Sequence, residues 1–545
     1  AATIDSARRA LNPWRPAEIL PYLARAARLL GPDDAEQRAL LERAIAVAAR
    51  VAIDGTADDG IIVAGQRVQV EVTVWNGGGD AVRLDSVELR APGGWRVTRF
   101  EPAAAAVAPG TVATRRFAVV VAPDAERTQP YFLRRPRLGA GRGLYDWTGV
   151  PATVRGLAFE PPPLAVRARL TIAGVPVVLT REVVFRYRDQ AVGEVRRPIF
   201  VTRDFDVAIA PDEVLWPVNG GGADGAARAF TVTVTNRRRG PATAPVVVTA
   251  PRGWPPVPAE SLAFGREDES RTITVALSPP PADVRPGGYE LRVRAERNAG
   301  GLVVIDYPHI RPRALVRPSD ARIVAAPLLL PPLSRVGYVR GAADRVPEAL
   351  ISAGVPLELL DAADLESGDL SHYDAIVVGS RAYETDAALI ANNARLLEYA
   401  RAGGLVIVQY QQYAFIEGGY APYPLRISRP HDRVTDETAP VTALDPEHRV
   451  LNYPNAIGPG DWRGWVQERG LYFARDWDST YMPILETHDS AANATALQGG
   501  LLIAPLGRGT YVYTGLSFFR QLPAGVPGAF RLFVNLLGLR RRNVP

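Results

Sequence analysis

The side chains best suited to ligand chemistry follow a short apolar run, Leu405–Val408, which is typical of a buried strand. The residues directly after this run are amides and phenols: Gln409, Tyr410, Gln411, Gln412 and Tyr413. In an open α/β sheet, ligands bind at the carboxyl ends of the strands. The stretch from 403 to 423 contains no Cys, Ser or His that could act as a nucleophile. The segment therefore indicates a binding site without covalent chemistry.

Aromatic residues accompany these amides and extend the candidate surface. They are Tyr410, Tyr413, Tyr420, Tyr423, Trp462, Trp465 and Tyr472. Aromatic rings can stack on the apolar faces of sugars while amides hydrogen-bond to sugar hydroxyls, so one interpretation is a glycan site. Tyr, Trp and Arg are also enriched at protein interfaces, which favours a contact with another domain or subunit. Packing within the domain is the third interpretation, and the sequence leaves all three open.

Two polar groups could carry catalytic or metal chemistry. Ser380 follows a predicted strand and could pair with His431 as a hydrolase dyad, although the surrounding sequence is not Gly-x-Ser-x-Gly. His431, Asp432 and Arg433 lie just before Asp436, and this group could bind a cation or form a loop held by ion pairs. We favour the loop held by ion pairs. We predict no catalytic residue, no metal ligand and no cofactor.

The composition excludes several classes of function. The 545 residues include no Cys, which excludes disulfides and thiolate zinc sites. The net charge is +5 with a pI near 9.4, and Arg carries the cationic charge because Lys is absent. The clusters Arg237–Arg239 and Arg540–Arg542 are not interleaved with aromatic residues, so we predict no nucleic-acid partner. No apolar run approaches the roughly 18 residues of a membrane span.

Changes in hydrophobic period divide the N-terminal part into three regions. Residues 1–54 predict a helical hairpin, since Pro16 suits a first helical turn and the pair at 31–32, Gly-Pro, separates two helical patterns. Residues 55–200 and 201–310 contain alternating apolar strands separated by turn residues. They predict two immunoglobulin-like β-sandwiches.

The two predicted sandwiches are related by an internal repeat. The strand Val70–Asn76 matches Phe230–Asn236, and the corner Ala91–Trp95 matches Ala250–Trp254, in the same order and with nearly the same gap. Between the two motifs of the first copy, Val82–Leu89 predicts a pair of strands. We interpret the Trp of each corner as packing at the edge of the core. Stacking on a sugar is the alternative, and it requires an exposed indole.

The C-terminal part predicts a different architecture. Residues 311–333 are rich in Pro and predict an extended connector. Residues 334–545 alternate strands and helices, which is typical of a parallel, doubly wound α/β sheet. The predicted strands are 335–339, 356–360, 375–378, 405–409, 500–503 and 509–514, and the predicted helices are 344–353, 386–402 and 526–538.

Several longer motifs in this part of the chain resemble a known family. They are Gly379–Glu384, Val408–Tyr413, Arg429–Glu437, Gly464–Gly470 and Tyr513–Arg520. On these motifs, the whole chain resembles the C-terminal, non-catalytic region of large exported PIG-L (LmbE-like) deacetylases. The resemblance implies NEW-type β-sandwiches and an α/β domain similar to flavodoxin and to class I glutamine amidotransferases.

The chain departs from this family at the catalytic motifs. The family's zinc site uses a His-Pro-Asp-Asp-Glu motif, whereas residues 31–36 read Gly-Pro-Asp-Asp-Ala-Glu and lack the His, so we interpret them as a helix start. The α/β domain also lacks the Cys that an amidotransferase requires. We therefore expect that this chain is not itself an enzyme, although its parent protein resembles a deacetylase.

The family motifs and the strand-end segment together define the predicted binding residues. They are Tyr383, Glu384, Gln409, Tyr410, Gln411, Gln412, Tyr413, His431, Asp432, Arg433, Trp465, Glu468 and Arg469. We predict an accessory or scaffolding region, exported to the extracellular space or periplasm, whose partner is a glycan, the missing deacetylase domain or another copy of itself. The alternatives are a structural protein that assembles into oligomers or filaments, and a hydrolase within the α/β domain. Because the chain begins at Ala1 and its single Met is Met482, we expect a processed or excised piece of a longer protein.

Overall fold

The structure is a computed structural model of the 545-residue chain. It describes residues 2–31, 33–100, 106–134, 148–219, 222–223, 226–489 and 495–540. Of the segments singled out in the sequence, Pro32 and the last two residues of the cluster Arg540–Arg542 lie outside the described residues. The chain is multidomain and mostly β-structure. No helix in the described part is long and apolar enough to cross a membrane.

Three helices lie at the N-terminus, where the sequence predicted two. They are α1 (Ala2–Ala10), α2 (Leu20–Leu29) and α3 (Ala35–Ala48), with a short 3-10 turn at Pro16–Ile19 before α2. Buried residues of α2 and α3, such as Leu23 and Ile45, belong to the same apolar core as the first sandwich. The helices therefore cover one side of that sandwich. The first strand begins at Val51, inside the predicted helical region. From Val51 onwards, successive residues alternate between more and less buried positions, which is the period of a strand and not of a helix.

The strands of the first sandwich are β1 (Val51–Ala57), β2 (Ile61–Val63), β3 (Arg67–Asn76), β4 (Val82–Arg90), β5 (Arg96–Arg99), β6 (Ala106–Val107), β7 (Thr111–Val120), β8 (Ala165–Ile172), β9 (Val175–Asp189) and β10 (Gly193–Pro198). All of them except β2 belong to a single curled sheet. The strand order is β5-β7-β3-β1-β9-β8-β4-β6, with β10 beside β9. A parallel pairing of β1 with β9 joins the two layers into one sheet. The predicted start of a strand pair at Val82–Leu89 is β4, which pairs with β8.

The second sandwich is built from two separate sheets. Its strands are β11 (Phe200–Thr202), β12 (Phe205–Ala210), β13 (Glu213–Asn219), β14 (Gly222–Ala223), β15 (Arg228–Asn236), β16 (Ala242–Thr249), β17 (Glu260–Phe264), β18 (Ser270–Leu277), β19 (Gly287–Ala295), β20 (Gly301–Ile305), β21 (Arg313–Arg317) and β22 (Asp320–Ala326). One sheet has the order β12-β15-β18 and the other β14-β13-β22-β19-β16-β17. Strand β11 pairs with β2 of the first sandwich, and β20 pairs with β21 as a separate hairpin.

The predicted connector at 311–333 is wrong, because it contains strands β21 and β22. Strand β22 lies between β13 and β19 inside the six-stranded sheet, and Ala321, Ile323 and Ala325 are fully buried there. The prolines that suggested an extended linker lie outside these strands, at their ends, where Pro removes no ladder hydrogen bond. The Pro-rich composition therefore predicted a linker at β22, whose pairing partners lie elsewhere in the sequence.

The C-terminal part is organised around a mixed seven-stranded sheet. Its strands are β23 (Val336–Val339), β24 (Leu357–Leu359), β25 (Ala375–Val378), β26 (Leu405–Val408), β30 (Met482–Pro483), β32 (Leu501–Leu506) and β33 (Gly509–Thr514), and two further pairs are β27 (Leu425–Val434) with β29 (Gly470–Trp477) and β28 (Val441–Ala443) with β31 (Leu485–Thr487). The order is β24-β23-β25-β26-β33-β32-β30. The pairings from β24 to β33 are parallel.

One strand of this sheet differs from the predicted all-parallel arrangement. Strand β32 pairs antiparallel with both of its neighbours, β33 and β30. The connection between β32 and β33 is a tight turn that contains Gly507 at a φ of 58°. A connection this short can join only antiparallel neighbours, since a parallel crossover needs a dozen or more residues.

Apolar side chains cover both faces of the sheet. The helices are α4 (Val346–Ser352), α5 (Ala362–Ser367), α6 (Ala382–Thr385), α7 (Ala387–Arg401), α8 (Tyr413–Glu417), α9 (Arg449–Asn452), α10 (Phe518–Gln521) and α11 (Pro527–Leu537), with 3-10 turns at Leu370–His372 and Pro459–Trp462. One core contains Tyr338 and Val377 with Phe530 of α11, and the opposite core contains Val378 with Leu396 of α7. Because the strands are buried on both sides, their polar residues emerge only at the strand ends.

Candidate functional site

A cleft of about 780 Å³ lies at the carboxyl ends of β23, β25, β26 and β33. Ser380, Arg381, Tyr410, Phe519 and Arg520 line it from the segments after these strands, and Gln467 lines it from the segment before β29. This edge is where ligands bind in open sheets of parallel strands. The position therefore agrees with the edge that the sequence indicated, although several lining residues are not those predicted.

The turn from β25 to α6 forms the floor of the cleft and has a strained backbone. Arg381 adopts a left-handed conformation with a φ of 59°, which is rare for a side chain of this size. Its amide donates to the carbonyl of Tyr410 at 2.9 Å, and the amide of Ala342 donates to the carbonyl of Ser380 at 2.9 Å. A Cβ on Gly341 would lie 2.0 Å from the Ser380 carbonyl oxygen, so only glycine allows the two loops to approach. We refer to this strained strand-to-helix turn as the elbow, and Arg381 occupies its strained position.

Other left-handed residues surround the same cleft. Of the eight described non-glycine residues with positive φ, Ala343, Arg381 and Gln467 line it, and Tyr472 packs on Tyr410 at a ring-centroid distance of 5.4 Å. Each such residue costs of order 1–3 kcal/mol and persists only where the surrounding structure imposes it. The concentration of strain at one cleft indicates a surface shaped for a ligand.

Arg381 and Ser380 give the cleft different polar properties. Arg381 donates two hydrogen bonds to one oxygen of Glu384, from Nε at 3.0 Å and from Nη2 at 2.6 Å. The other Glu384 oxygen is buried without a hydrogen-bond partner, and so is the Ser380 hydroxyl. An unsatisfied buried polar atom is costly, and a bound polar ligand can satisfy it. Of these groups, Arg381 and Ser380 line the cleft, and the Glu384 carboxylate lies behind them.

A buried hydrogen-bonded chain lies beneath the cleft. Gln409 donates from Nε2 to the Tyr338 hydroxyl at 2.7 Å, and Tyr338 donates to Asp344 Oδ2 at 2.6 Å. Burial raises the pKa of Asp344, against the lowering effect of its hydrogen bonds. Burial also raises the pKa of Tyr338 well above its ordinary value. Gln409 is thus one member of an internal network that fixes the loop after β23.

The other predicted amides fix the elbow. Gln411 is fully buried, donates to the Gly379 carbonyl at 2.8 Å and accepts from the Tyr383 amide at 3.2 Å. Gln412 donates to the Tyr410 hydroxyl at 3.0 Å. Burial raises the pKa of Tyr383 well above its ordinary value, and its hydroxyl donates to Asn393 at 2.6 Å. These side chains hold the strained turn in place.

A buried carboxylate lies between two arginines behind the second wall of the cleft. Glu468 is 2% exposed and accepts from Arg433 at 2.6 Å and from Arg520 at 2.8 Å. Arg469 is also buried, donates to the carbonyls of Ala439 and Trp462, and has its pKa lowered to about 10 by burial. Arg520 is the member of this group that lines the cleft. Glu468 and Arg469 belong to the interior.

The predicted aromatic residues pack mainly on one another. Trp465 is 3% exposed and donates from Nε1 to the Asp461 carbonyl at 3.0 Å. Tyr413 packs edge-on against Tyr472 at 5.3 Å. Tyr410 and Trp465 do line the cleft, but both are almost fully buried. Of the three interpretations of this group, the geometry favours internal packing for most of its rings.

The suggested Ser380 and His431 dyad is not formed. His431 stacks on the Tyr472 ring at 3.8 Å with an interplanar angle of 7°, and neither its Nε2 nor the Ser380 hydroxyl has a hydrogen-bond partner. Burial lowers the pKa of His431, and the charge of Arg433 adds to this effect. Asp432 accepts from the Ser428 hydroxyl and from Arg475. No group of three or more His, Cys, Asp or Glu residues in the described ranges could hold a metal ion.

The residues that sequence reasoning missed are Arg381, Gln467, Phe519 and Arg520. Arg381 and Arg520 each lie a few residues after a strand that ends at this edge, and that position was the available signal. The left-handed conformation of Arg381 and Gln467 has no signal in residue type, because neither is Gly or Asn. Strand position identified the edge, while residue chemistry selected interior side chains.

Comparison with known families identifies one segment of the chain. Residues 62–134 match the NPCBM-associated, NEW3 domain of alpha-galactosidase. This stretch includes β3 to β7 of the first sandwich and the Trp95 corner. The first sandwich therefore contains a NEW3-type segment. The match supports the NEW-type part of the sequence resemblance and leaves its deacetylase and amidotransferase parts as predictions. No curated protein matches the chain.

Two solved structures show weak similarity. A cold-adapted β-galactosidase from Rahnella sp. R3 is 15% identical over 38% of this chain and 32% of its own, with a TM-score of 0.23. The secreted serine protease VesC from Vibrio cholerae is 8% identical over 42% of this chain and 47% of its own, with a TM-score of 0.14. The matched part spans less than half of either protein. At these TM-scores neither similarity carries an argument about fold or function.

Proposed function

We propose that this chain is a non-catalytic, carbohydrate-related accessory region, and that its strand-end cleft binds a polar group without turning it over. The observation that carries this proposal is Arg381 at the strained elbow, bonded to Glu384. A guanidinium stays protonated and cannot act as a nucleophile. The elbow thus presents a fixed ion pair at the position where a hydrolase or amidotransferase places its attacking atom.

The proposed architecture of the C-terminal part is an amidotransferase-like α/β domain. Its parallel strands follow the order 2-1-3-4-5, which flavodoxin-like folds share. Strain around the cleft would then be retained from a catalytic ancestor and used for binding. Ser380 lines the cleft and its hydroxyl has no partner, so it is the group to which we expect a hydroxyl, amide or carboxylate group of the ligand to bond.

The carbohydrate-related role rests on the NEW3 match at residues 62–134. The PIG-L resemblance extends the proposal, since it implies an exported parent protein that removes acetyl groups from N-acetylated sugars. In that setting the present chain would hold the substrate or position the catalytic domain. Self-association of the chain stays a separate prediction, and light scattering of the purified protein tests it.

Two measurements test this proposal. The purified chain is incubated with p-nitrophenyl acetate, glutamine and N-acetylglucosamine oligomers, beside a Ser380→Ala variant. We expect no turnover above buffer in either sample, and turnover that the substitution abolishes would overturn the non-catalytic assignment. Saturation-transfer NMR with neutral and acidic oligosaccharides then tests the carbohydrate role. Transfer to at least one sugar is expected, and its absence from all of them would contradict that role.

A further inference from the structure

A groove of about 500 Å³ lies between the first sandwich and the hairpin formed by β20 and β21. It is separate from the strand-end cleft. Residues that line it include Trp95, Phe159, Glu160, Arg134, Glu182 and Arg313. Ligand sites occur preferentially where two units meet, and pockets of about 300–1,000 Å³ suit small ligands. The groove therefore has the position and size of a site for one or two sugar rings.

Trp95 is presented to this groove by the corner that recurs in the second sandwich. Gly94 has a φ of 83°, and the Trp95 amide donates to the Pro92 carbonyl at 3.3 Å, which closes the turn. Part of the indole packs on the core of the sandwich, and the residue also lines the groove. One side of a rigid aromatic ring is thus anchored while another part stays accessible. This partial exposure is the condition that sugar stacking at the corner requires.

A second aromatic ring in the groove is accessible. Phe159 is 58% exposed, and the Arg313 guanidinium lies over its ring at 3.2 Å from the centroid. Burial lowers the pKa of Arg313. Rings and planar guanidinium groups offer flat apolar surfaces, which complement the flat faces of a pyranose.

Carboxylates and guanidinium groups alternate around the aromatic surfaces. Glu160 pairs with Arg134 at 2.9 Å, and Arg134 also approaches Glu126 at 3.3 Å. Glu182 pairs with Arg311. Burial raises the pKa of Glu160, so that carboxylate is partly withdrawn from water. Such groups accept and donate hydrogen bonds in fixed directions, as recognition of vicinal hydroxyls requires.

The charge balance of the groove selects between sugar classes. Its lining contains four acidic residues and four arginines, which are Asp124, Glu126, Glu160 and Glu182 with Arg127, Arg134, Arg311 and Arg313. A site for a uronic acid or a sulfated sugar would present an excess of positive charge. Balanced charge with many hydrogen-bonding atoms instead suits an uncharged ligand that is rich in hydroxyl groups.

From these observations we infer that the groove beside Trp95 binds a neutral sugar unit, which stacks on the indole and hydrogen-bonds to Glu160 and Arg134. The inference rests on the proposed carbohydrate-related role and assigns it a site. It also gives the two sandwiches different roles, because Trp95 lines a groove whereas Trp254 is 7% exposed and packs in the core of the second sandwich.

Isothermal titration of the full chain with lactose, melibiose, cellobiose and N,N′-diacetylchitobiose tests the inference, with glucuronic acid as a charged comparison. At least one neutral disaccharide should bind more tightly than glucuronic acid. Trp95→Ala should weaken that binding at least tenfold, and Glu160→Gln should weaken it severalfold while leaving the aromatic surface intact. Glu160→Gln also serves if Trp95→Ala fails to fold.

Two further variants separate this site from the rest of the molecule. Trp75→Ala is the control, because it removes a 47% exposed indole of the same sandwich that does not line the groove, and it should bind the disaccharide as the unaltered chain does. Arg381→Ala alters the strand-end cleft and shows whether the disaccharide binds there instead. Unchanged affinity in Trp95→Ala and Glu160→Gln, loss of affinity in Arg381→Ala alone, a preference for glucuronic acid, or no binding of any neutral disaccharide would each overturn the inference. If saturation-transfer NMR detects a bound sugar but Trp95→Ala binds it with unchanged affinity, this site is rejected and the carbohydrate-related role is retained.

Discussion

Trp95 and Trp254 occupy equivalent corners of the two sandwiches, and they face different surroundings. Each follows a left-handed glycine, Gly94 at a φ of 83° and Gly253 at 86°, and each amide closes the same turn onto a proline carbonyl. Trp254 is 7% exposed and meets the fully buried Trp216 edge-on at 5.1 Å. Trp95 lines a groove. The same turn therefore places the indole in the core in one copy and beside a surface groove in the other.

The frameworks around the two corners are alike in detail. Asn76 and Asn236 end equivalent strands and are fully buried. Each side chain donates to the carbonyl four residues later, at 2.8 Å in the first copy and 3.0 Å in the second, and accepts from the amide two residues later. The two copies therefore share the residues that build the turns and differ in the residues that cover the corner.

Removal of the corner indole is the substitution that should separate the two copies most. Trp254→Ala deletes a buried ring that packs on Trp216 and should lower the free energy of unfolding of the second sandwich by about 3–5 kcal/mol. Trp95→Ala removes a partly exposed ring and should cost about 1–2 kcal/mol. Urea titrations of both variants, followed by circular dichroism, measure the difference. Equal losses would show that Trp95 is as much a core residue as Trp254.

This contrast also shows what the sequence reveals and what it hides. Alternation in Val70, Val72 and Val74 predicted a strand with those three side chains buried, and all three are buried within β3. The repeated corner predicted equivalent turns. The exposure of each indole depends on what packs over it, and Trp216 and the hairpin of β20 and β21 come from distant parts of the chain. Such contacts are decided by tertiary packing and leave no local pattern.

The strand-end cleft shows the same limit. Its position followed from strands that end at one edge, which is a local pattern. The roles of its side chains did not, because Gln411 bonds to Gly379 and Glu468 bonds to two arginines only in the folded chain. A residue with suitable chemistry near a site is often the support of that site. Residue type alone could not distinguish the amide that positions the elbow from one that faces a ligand.

The shared framework should respond equally in both copies. Asn76→Ala and Asn236→Ala each leave buried backbone groups without partners, and each should lower the free energy of unfolding by about 2–3 kcal/mol. Thr235→Ala is the control, since that side chain is on the outer surface of the same strand and should change stability by less than about 1 kcal/mol. Chemical denaturation of the three variants checks this. If only one of the two Asn substitutions lowered the free energy of unfolding, the turns of the two sandwiches would not be equivalent.

A smaller, equal effect is expected at the corner glycines. Gly94→Ala and Gly253→Ala place a Cβ on a left-handed backbone, which should cost about 1–2 kcal/mol in each sandwich. An added Cβ at Gly94 would touch only the Ala122 methyl at 3.4 Å, and one at Gly253 would meet nothing, so conformation dominates over crowding. Gly93→Ala is the control because that residue has neither a positive φ nor a close neighbour. Thermal melts that show equal losses for Gly93→Ala and Gly94→Ala would contradict the explanation from backbone conformation.

The last prediction concerns the contact between the two sandwiches and its dependence on pH. Burial, followed by the charges of Asp59 and Asp268, raises the pKa of Glu267 to about 7. Arg239 opposes this shift and bridges to Asp58 at 3.0 Å. The folded state thus holds a proton on Glu267 that the unfolded chain releases above its ordinary pKa near 4.5. The contribution of Glu267 to the free energy of unfolding is therefore fully present below about pH 4.5 and is lost as the pH rises towards 7.

Glu267→Gln tests this linkage because an amide resembles the protonated acid and does not titrate. The fall in the urea midpoint between pH 5 and pH 7.5 should be smaller in Glu267→Gln than in the unaltered chain, and at pH 7.5 the variant should be the more stable of the two. Glu260→Gln removes an exposed carboxylate of the same sandwich and should keep the original pH dependence. If Glu267→Gln also keeps the original pH dependence, then protonation of Glu267 does not stabilise this contact. The pairing of β2 with β11 would then be what holds the two sandwiches together there.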